Sequence, residues 1–376
     1  MSRGFSIYLD AVRFAAGMLV LMSHFAYPRF SGGRWLWMRE LNLGSDAVVM
    51  FFVLSGLVIA HVVHAKPGGA GTYAFDRATR FVSVALPALV LGFALDRMGT
   101  RIAPEVYPSW AYSHLPLWEI LLRGLTFSNE WSGQATRLGS NGPYWSLSYE
   151  AAYYALFGIA IYARGARRIV LLALGGWIIG PNILLLLPAW LMGVLVQRCV
   201  ARGRVTQGRA ALALAVLPVA AYILALRFGV PDLLRAPIAE YGASLRFSDE
   251  FIWNNLLAGL MGVHLLGMAG LLRGRGTFRN ATRIRWLAGG SFSLYLVHYP
   301  VLQVLAAMGL DSADLGEDLI LIAATLAICY GFAELTERRL TVFRVALMRM
   351  RRWPNVRAGR RAPEAVGRSA ACEKTG

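Results

Sequence analysis

Apolar segments of about 20 residues recur along this chain, and that one feature decides most of what it can fold into. A bilayer core about 30 Å thick is crossed by about 20 residues rising about 1.5 Å each. Within it the segment must satisfy its own backbone groups, so each segment becomes a helix. Such runs fall at 7–27, 46–65, 78–97, 144–163, 169–180, 182–200, 210–228, 251–272, 286–310 and 318–340. They predict an all-α, polytopic integral membrane bundle of about ten transmembrane helices. Of the 376 residues, 57% are apolar and 16% charged, against about a quarter charged in a soluble domain. The first run is long for a signal peptide and lacks a small-x-small cleavage site, so it reads as a retained span.

The net charge of +17 is topogenic rather than a nucleic-acid footprint, because the cations gather in alternate connections. One side collects Arg3, then Lys66, Arg77 and Arg80, then Arg164, Arg167 and Arg168, then Arg198 to Arg209. The same side continues with Arg273 to Arg285 and the tail from Arg338 to Arg361. The opposite side is mixed or acidic, most clearly at Asp311, Asp314, Glu317 and Asp318. The positive-inside rule then puts the N and C termini in the cytoplasm, with an even number of crossings. Residues 1–345 form the expected transmembrane domain, and 346–376 a basic cytoplasmic tail of disordered composition. The segment 169–200, split at Pro181, is a short hairpin or a re-entrant pair. In the longest outside connection, 98–143, the apolar stretch 115–127 is able to dip into the interface. Cys199, Cys329 and Cys372 have no paired spacing, and His61 and His64 lack a third ligand, so no metal site is expected.

Ionisable groups inside spans cost about 2.5–3.5 kcal/mol each at the bilayer centre, which makes them functional candidates. The first span holds Asp10, Arg13 and His24. Arg13 and His24 are eleven residues apart, close to three full turns, so they share a face about 16 Å apart along the axis. Asp10, one turn before Arg13, pairs with it, either as a structural ion pair or as part of a site. Asp46 opens the second span at the same end as His24, and a carboxylate beside an imidazole is what a general base needs. Arg77 and Arg80 share a helix face, as phosphate clamps or as interfacial anchors. Glu150 and His298 need partners, while Glu334 and Glu337 offset nearby arginines. Two classes fit these groups. One is a transporter or flippase for a glycan or other anionic substrate. The other is an enzyme that takes a phosphate-bearing donor on one side and serves an acceptor on the other.

Five segments in order tip that balance. Leu9-Asp10-Ala11-Val12-Arg13 with Ser23-His24-Phe25 comes first, then Phe51-Phe52-Val53-Leu54-Ser55-Gly56 and Arg77-Ala78-Thr79-Arg80. Tyr144-Trp145-Ser146-Leu147-Ser148-Tyr149-Glu150 and Ser293-Leu294-Tyr295-Leu296-Val297-His298-Tyr299-Pro300 follow. Together they resemble the membrane-bound acyltransferase-3 family, whose members O-acylate cell-surface glycans and other hydroxyl acceptors. The chain departs from that pattern at Ala151, at Val297 and in Arg338-Arg339-Leu340 after Glu337.

The resemblance implies an acyltransferase of the cell inner (plasma) membrane that moves an acyl group, most often acetyl, from cytoplasmic acyl-coenzyme A to a carbohydrate or glycolipid hydroxyl. Acyl-coenzyme A is then a cosubstrate, with no permanently bound cofactor, no metal and no nucleic-acid partner. Arg13, Arg77 and Arg80 are the expected donor-binding residues. His24, Asp46 and Glu150 are the expected catalytic ones, with His24 as general base oriented by Asp46, or as nucleophile. Asp10, Trp145, Ser148 and His298 are expected to line or support the site.

Overall fold

The computed structural model describes residues 1–65, 68–277, 279–310 and 314–351. Among them all regular structure is helical, apart from one isolated bridge between Leu138 and Asn141. The long helices are α1 (Arg3–Phe25), α2 (Leu43–Ala65), α3 (Ala70–Ile102), α4 (Leu117–Thr126), α5 (Trp145–Tyr162) and α6 (Gly165–Ile179). They continue with α7 (Leu187–Ala201), α8 (Gly208–Arg227), α9 (Phe251–Leu271), α10 (Ser291–Ala307), α11 (Leu315–Leu335) and α12 (Leu340–Arg351). Their starts follow from local chemistry. Ser2 Oγ accepts the Phe5 amide at 3.2 Å ahead of α1, and Asp314 Oδ1 accepts the Glu317 amide at 2.9 Å ahead of α11. Each satisfies a donor that a helix start leaves without a partner.

Seven helices are long and apolar enough to cross a membrane, one of them Pro181–Ala201, which includes α7. The expected ten is therefore not reached by length and composition, and the shortfall has physical causes. α6 has 15 residues and α10 has 17, so they rise about 22 and 26 Å, short of a full bilayer core. α5 has 18 but spends several on Ser146, Ser148, Tyr149 and Glu150. The single span expected at 286–310 is broken at Gly289-Gly290 into Ala281–Ala288 and α10. α3 is longer than expected, and the apolar stretch in the following connection forms α4. At Pro181 the chain turns through Gly180, whose φ of +87° favours glycine, and proline takes the first helical position. α12 runs across the boundary expected after residue 345. Lys66, Asp311, Cys372 and residues 352–376 of the expected tail lie outside the described residues.

The core lies where α2, α5 and α7 meet, around Phe52, Tyr149, Tyr153 and Trp190. Glycine brings two of these backbones together. A Cβ at Gly56 of α2 would overlap the Trp190 carbonyl oxygen, and one at Gly193 of α7 would overlap the Val53 carbonyl oxygen. Small residues at a crossing permit this approach between membrane helices. α1 packs between α2 and α10, and α10 also packs on α3. That arrangement gathers the polar groups of the expected site. By contrast α8 exposes much of its apolar surface, including Leu217, Ile223 and Leu224.

Candidate functional site

Arg77 and Arg80, three residues apart on α3, present one face, and Arg13 of α1 meets them. The three guanidiniums line a cavity of about 320 Å³ together with Ser55, Glu150 and Tyr154. Each charge but one is held. Arg13 pairs with Asp10 at 3.3 Å. Arg80 lies 4.0 Å from Glu337, whose carboxylate also accepts from the Ser293 amide at 2.9 Å and the Ser293 hydroxyl at 3.0 Å. Arg338 pairs with Glu334 at 3.2 Å, so both glutamates of that segment offset arginines as the sequence suggests. Arg77 has no ion pair among the described residues, and its guanidinium stands 6.0 Å from the Tyr154 ring. Free planar guanidiniums in a concave site are suited to bidentate contacts with phosphate.

Glu150 belongs to this cavity and not to the His24 end. Its Oε1 accepts from Ser55 Oγ at 2.6 Å and from the Tyr154 hydroxyl at 2.5 Å, and Trp190 Nε1 donates to Ser55 Oγ at 3.1 Å. Ser55 and Tyr154 were not singled out from the sequence as site residues. The signal for Tyr154 is its place one turn after Glu150 on the same helix. Another face of α5 behaves differently. Ser148 is fully buried and donates to Asn129 Oδ1 at 2.6 Å, while Trp145 lines a second cavity.

At the far end of α1, His24 meets His298 of α10, with Nδ1 of His24 3.0 Å from Nε2 of His298. His24 Nδ1 also lies 3.0 Å from the Val20 carbonyl oxygen, and His298 Nδ1 lies 2.8 Å from the Leu294 carbonyl oxygen. A carbonyl only accepts, so each Nδ1 carries the proton. His298 Nε2 then accepts from His24, and His24 Nε2 keeps a lone pair with no hydrogen bond among the described residues. That is the tautomer a general base requires. The ring of Tyr299 stands edge-on to His24 at 5.1 Å, and its hydroxyl accepts from Arg29.

Asp46 is not His24's partner. It lies at the same end, as its place in α2 suggests, but its carboxylate accepts from Tyr222 of α8 and Trp253 of α9, both at 2.8 Å. The residue is 1% exposed, so these two donors serve a buried acceptor that has no water to turn to. The hydrogen-bond contact to His24 expected of Asp46 is made by His298 instead.

The bundle thus carries phosphate-competent cations at one end of α1 and a tautomerically fixed imidazole at the other. A family model described as an acyltransferase domain matches residues 6–334. The class is therefore an acyltransferase built from apolar, membrane-competent helices. The chain belongs to the acyltransferase-3 family, in agreement with the five motifs. Acyltransferase MdmB of Streptomyces mycarofaciens is 30% identical over 168 residues, 43% of this chain and 40% of that protein. The chain thus matches less than half the length of that relative. No solved structure matches the chain.

Proposed function

We propose that this acyltransferase is an O-acyltransferase that works across the membrane, taking acetyl-coenzyme A from the cytoplasm and acylating a carbohydrate or glycolipid hydroxyl at the outer face. In this reading the short helices α5, α6 and α10 complete ten crossings, both termini are cytoplasmic, and the protein sits in the inner (plasma) membrane. The observation that carries the reading is the division along α1: Arg13 joins Arg77 and Arg80 in one cavity, while His24 joins His298 about 16 Å away. Arg77 and Arg80 hold the donor's phosphates, and its long pantetheine arm follows α1 toward His24. His24 Nε2 takes the proton of the acceptor hydroxyl as its oxygen attacks the thioester carbonyl. The new C–O bond forms, the C–S bond breaks, and the proton passes to the leaving thiolate to give free coenzyme A. His298 accepts from His24 Nδ1 and so stabilises the imidazolium formed midway. Glu150, fixed by Ser55 and Tyr154, shapes the inner cavity beside the arginines.

The test is coenzyme A release by the purified protein in detergent, given acetyl-coenzyme A and a panel of sugar acceptors. A transporter releases none. His24→Ala, inserted at the wild-type level, is expected to lower the rate by about 10²–10⁴-fold, the range contributed by a positioned base. Full activity in that variant overturns the assignment.

A further inference from the structure

Between the connection after α4 and the one before α9 lies a second cavity of about 400 Å³, within the size range of small-molecule sites. It sits at the His24 end: Trp110 on its wall is 5.6 Å from Tyr27, whose ring stacks on His24 at 6.5 Å. Its walls combine two kinds of surface. Trp110 is 56% exposed, and Trp145 stacks face to face on Phe247 at 4.3 Å, giving flat apolar walls. Asn129, Glu130, Arg137 and Arg246 supply polar groups between them. Flat aromatic surface with interspersed hydrogen-bonding groups is the chemistry that receives a sugar ring, whose C–H face is apolar and whose edge is polar.

The charges say more. Arg137 makes no hydrogen bond or ion pair among the described residues, and it lies within electrostatic range of both His24 and Tyr299. Its Nη1 rests over Gly142, where a Cβ would come within 2.6 Å of it, so the backbone leaves room for the guanidinium. Arg246 donates to the Ala135 carbonyl at 3.3 Å and holds a φ of +57°, a backbone strain of the kind that collects at binding sites. The one carboxyl in the cavity is Glu130, 5% exposed and bonded by Asn129 at 3.2 Å. Burial pushes it up to about 8, against the pull of Arg246 and Arg137, so near neutral pH it is mostly protonated and offers the two guanidiniums little counter-charge inside the cavity.

We propose that this cavity is the acceptor subsite and that it selects a sugar bearing an anionic group, a carboxylate or a phosphate, which Arg137 pairs with while the ring lies against the aromatic walls. The inference rests on the acyl-transfer reading and deepens it by naming the acceptor's chemistry. Paired this way, the acceptor is held at the His24 end of the bundle, and Arg137 is a specificity residue rather than a catalytic one.

The experiment compares methyl glucuronide, glucose 6-phosphate and methyl glucoside as acceptors for the purified full-length protein with acetyl-coenzyme A. Wild type should prefer at least one anionic acceptor by about tenfold or more in kcat/KM, the size of one charge-assisted contact. The pair of anionic probes shows which group the site takes. Arg137→Ala should erase the preference by lowering the anionic acceptor alone, and Arg137→Lys should keep part of it. Equal use of neutral and anionic sugars by wild type overturns the proposal, as does an Arg137→Ala change that lowers both alike. If no acceptor is acylated, the acyl-transfer reading fails separately, and quenching of tryptophan fluorescence by the anionic sugars decides the subsite. Quenching lost in Arg137→Ala supports it, and no quenching in wild type overturns it.

Discussion

The two cavities differ in how their charges are held, and the difference separates what must be general from what must be selective. At the arginine end, Arg13 leans on Asp10, Arg80 on Glu337, and Glu150 on Ser55 and Tyr154, with Arg77 alone lacking an ion pair among the described residues, so most of the cavity is organised before anything enters it. At the histidine end, Arg137 lines its cavity with no hydrogen bond or ion pair among the described residues. In the proposed reaction a donor whose phosphates never vary is served by a largely preset cluster, because little reorganisation accompanies binding. An acceptor is chosen by a charge left open, since a ligand lacking the matching anion leaves it uncompensated.

The sharpest way to break this contrast is at the preset end. Arg77→Ala together with Arg80→Ala removes two charge-assisted contacts and should raise the KM for acetyl-coenzyme A about 100-fold or more, leaving acceptor KM nearly unchanged. Initial rates over a donor-by-acceptor grid check this, and an unmoved donor KM sinks the clamp. A smaller effect separates the two candidate partners of His24. His298→Ala should lower kcat about tenfold and shift the pH profile of kcat/KM, since the imidazolium loses its acceptor. Asp46→Asn should leave that profile in place and instead lower the melting temperature, because one donor from Tyr222 or Trp253 loses its acceptor at a cost of about 1–3 kcal/mol. The reverse pattern would restore Asp46 as the orienting group.

The smallest effect concerns Glu130, which faces Asn129, Arg137, Arg246 and Tyr149. Its folded value of about 8 exceeds the ordinary 4.5, so the folded protein binds the extra proton between those values. Stability from this group is fully present below about 4.5 and is lost as pH rises to about 8. Glu130→Gln should flatten the fall in melting temperature across that window, and an unchanged slope means that the carboxyl ionises normally.

Much of this was legible in the sequence. Apolar runs located most of the long helices, and the eleven-residue spacing of Arg13 and His24 set them at the two ends of α1. What the sequence supplies for a bundle is height along the axis, and neighbours also depend on which way a helix faces. Asp46 was placed at the correct end, yet its side chain turns toward α8 and α9. Trp145 and Glu150 are five residues apart, about 7.5 Å in height but about 140° around the helix, so they line different cavities. His298 met His24 only once α1 and α10 packed together, a contact between residues 274 apart. Arg137 and Glu130 lie in an irregular connection, where no periodicity marks a residue as facing a site.

The glycine contact between α2 and α7 has a mechanical consequence. With Gly56 against the Trp190 carbonyl and Gly193 against the Val53 carbonyl, backbone meets backbone at two points, with the Trp190 side chain packed beside Gly56 and bonded to Ser55. Backbone set against backbone leaves little room for sliding, which ties the two helices together at this crossing. Any opening that the proposed acyl transfer requires is expected along the other seams, where α1 and α3 pack against α10.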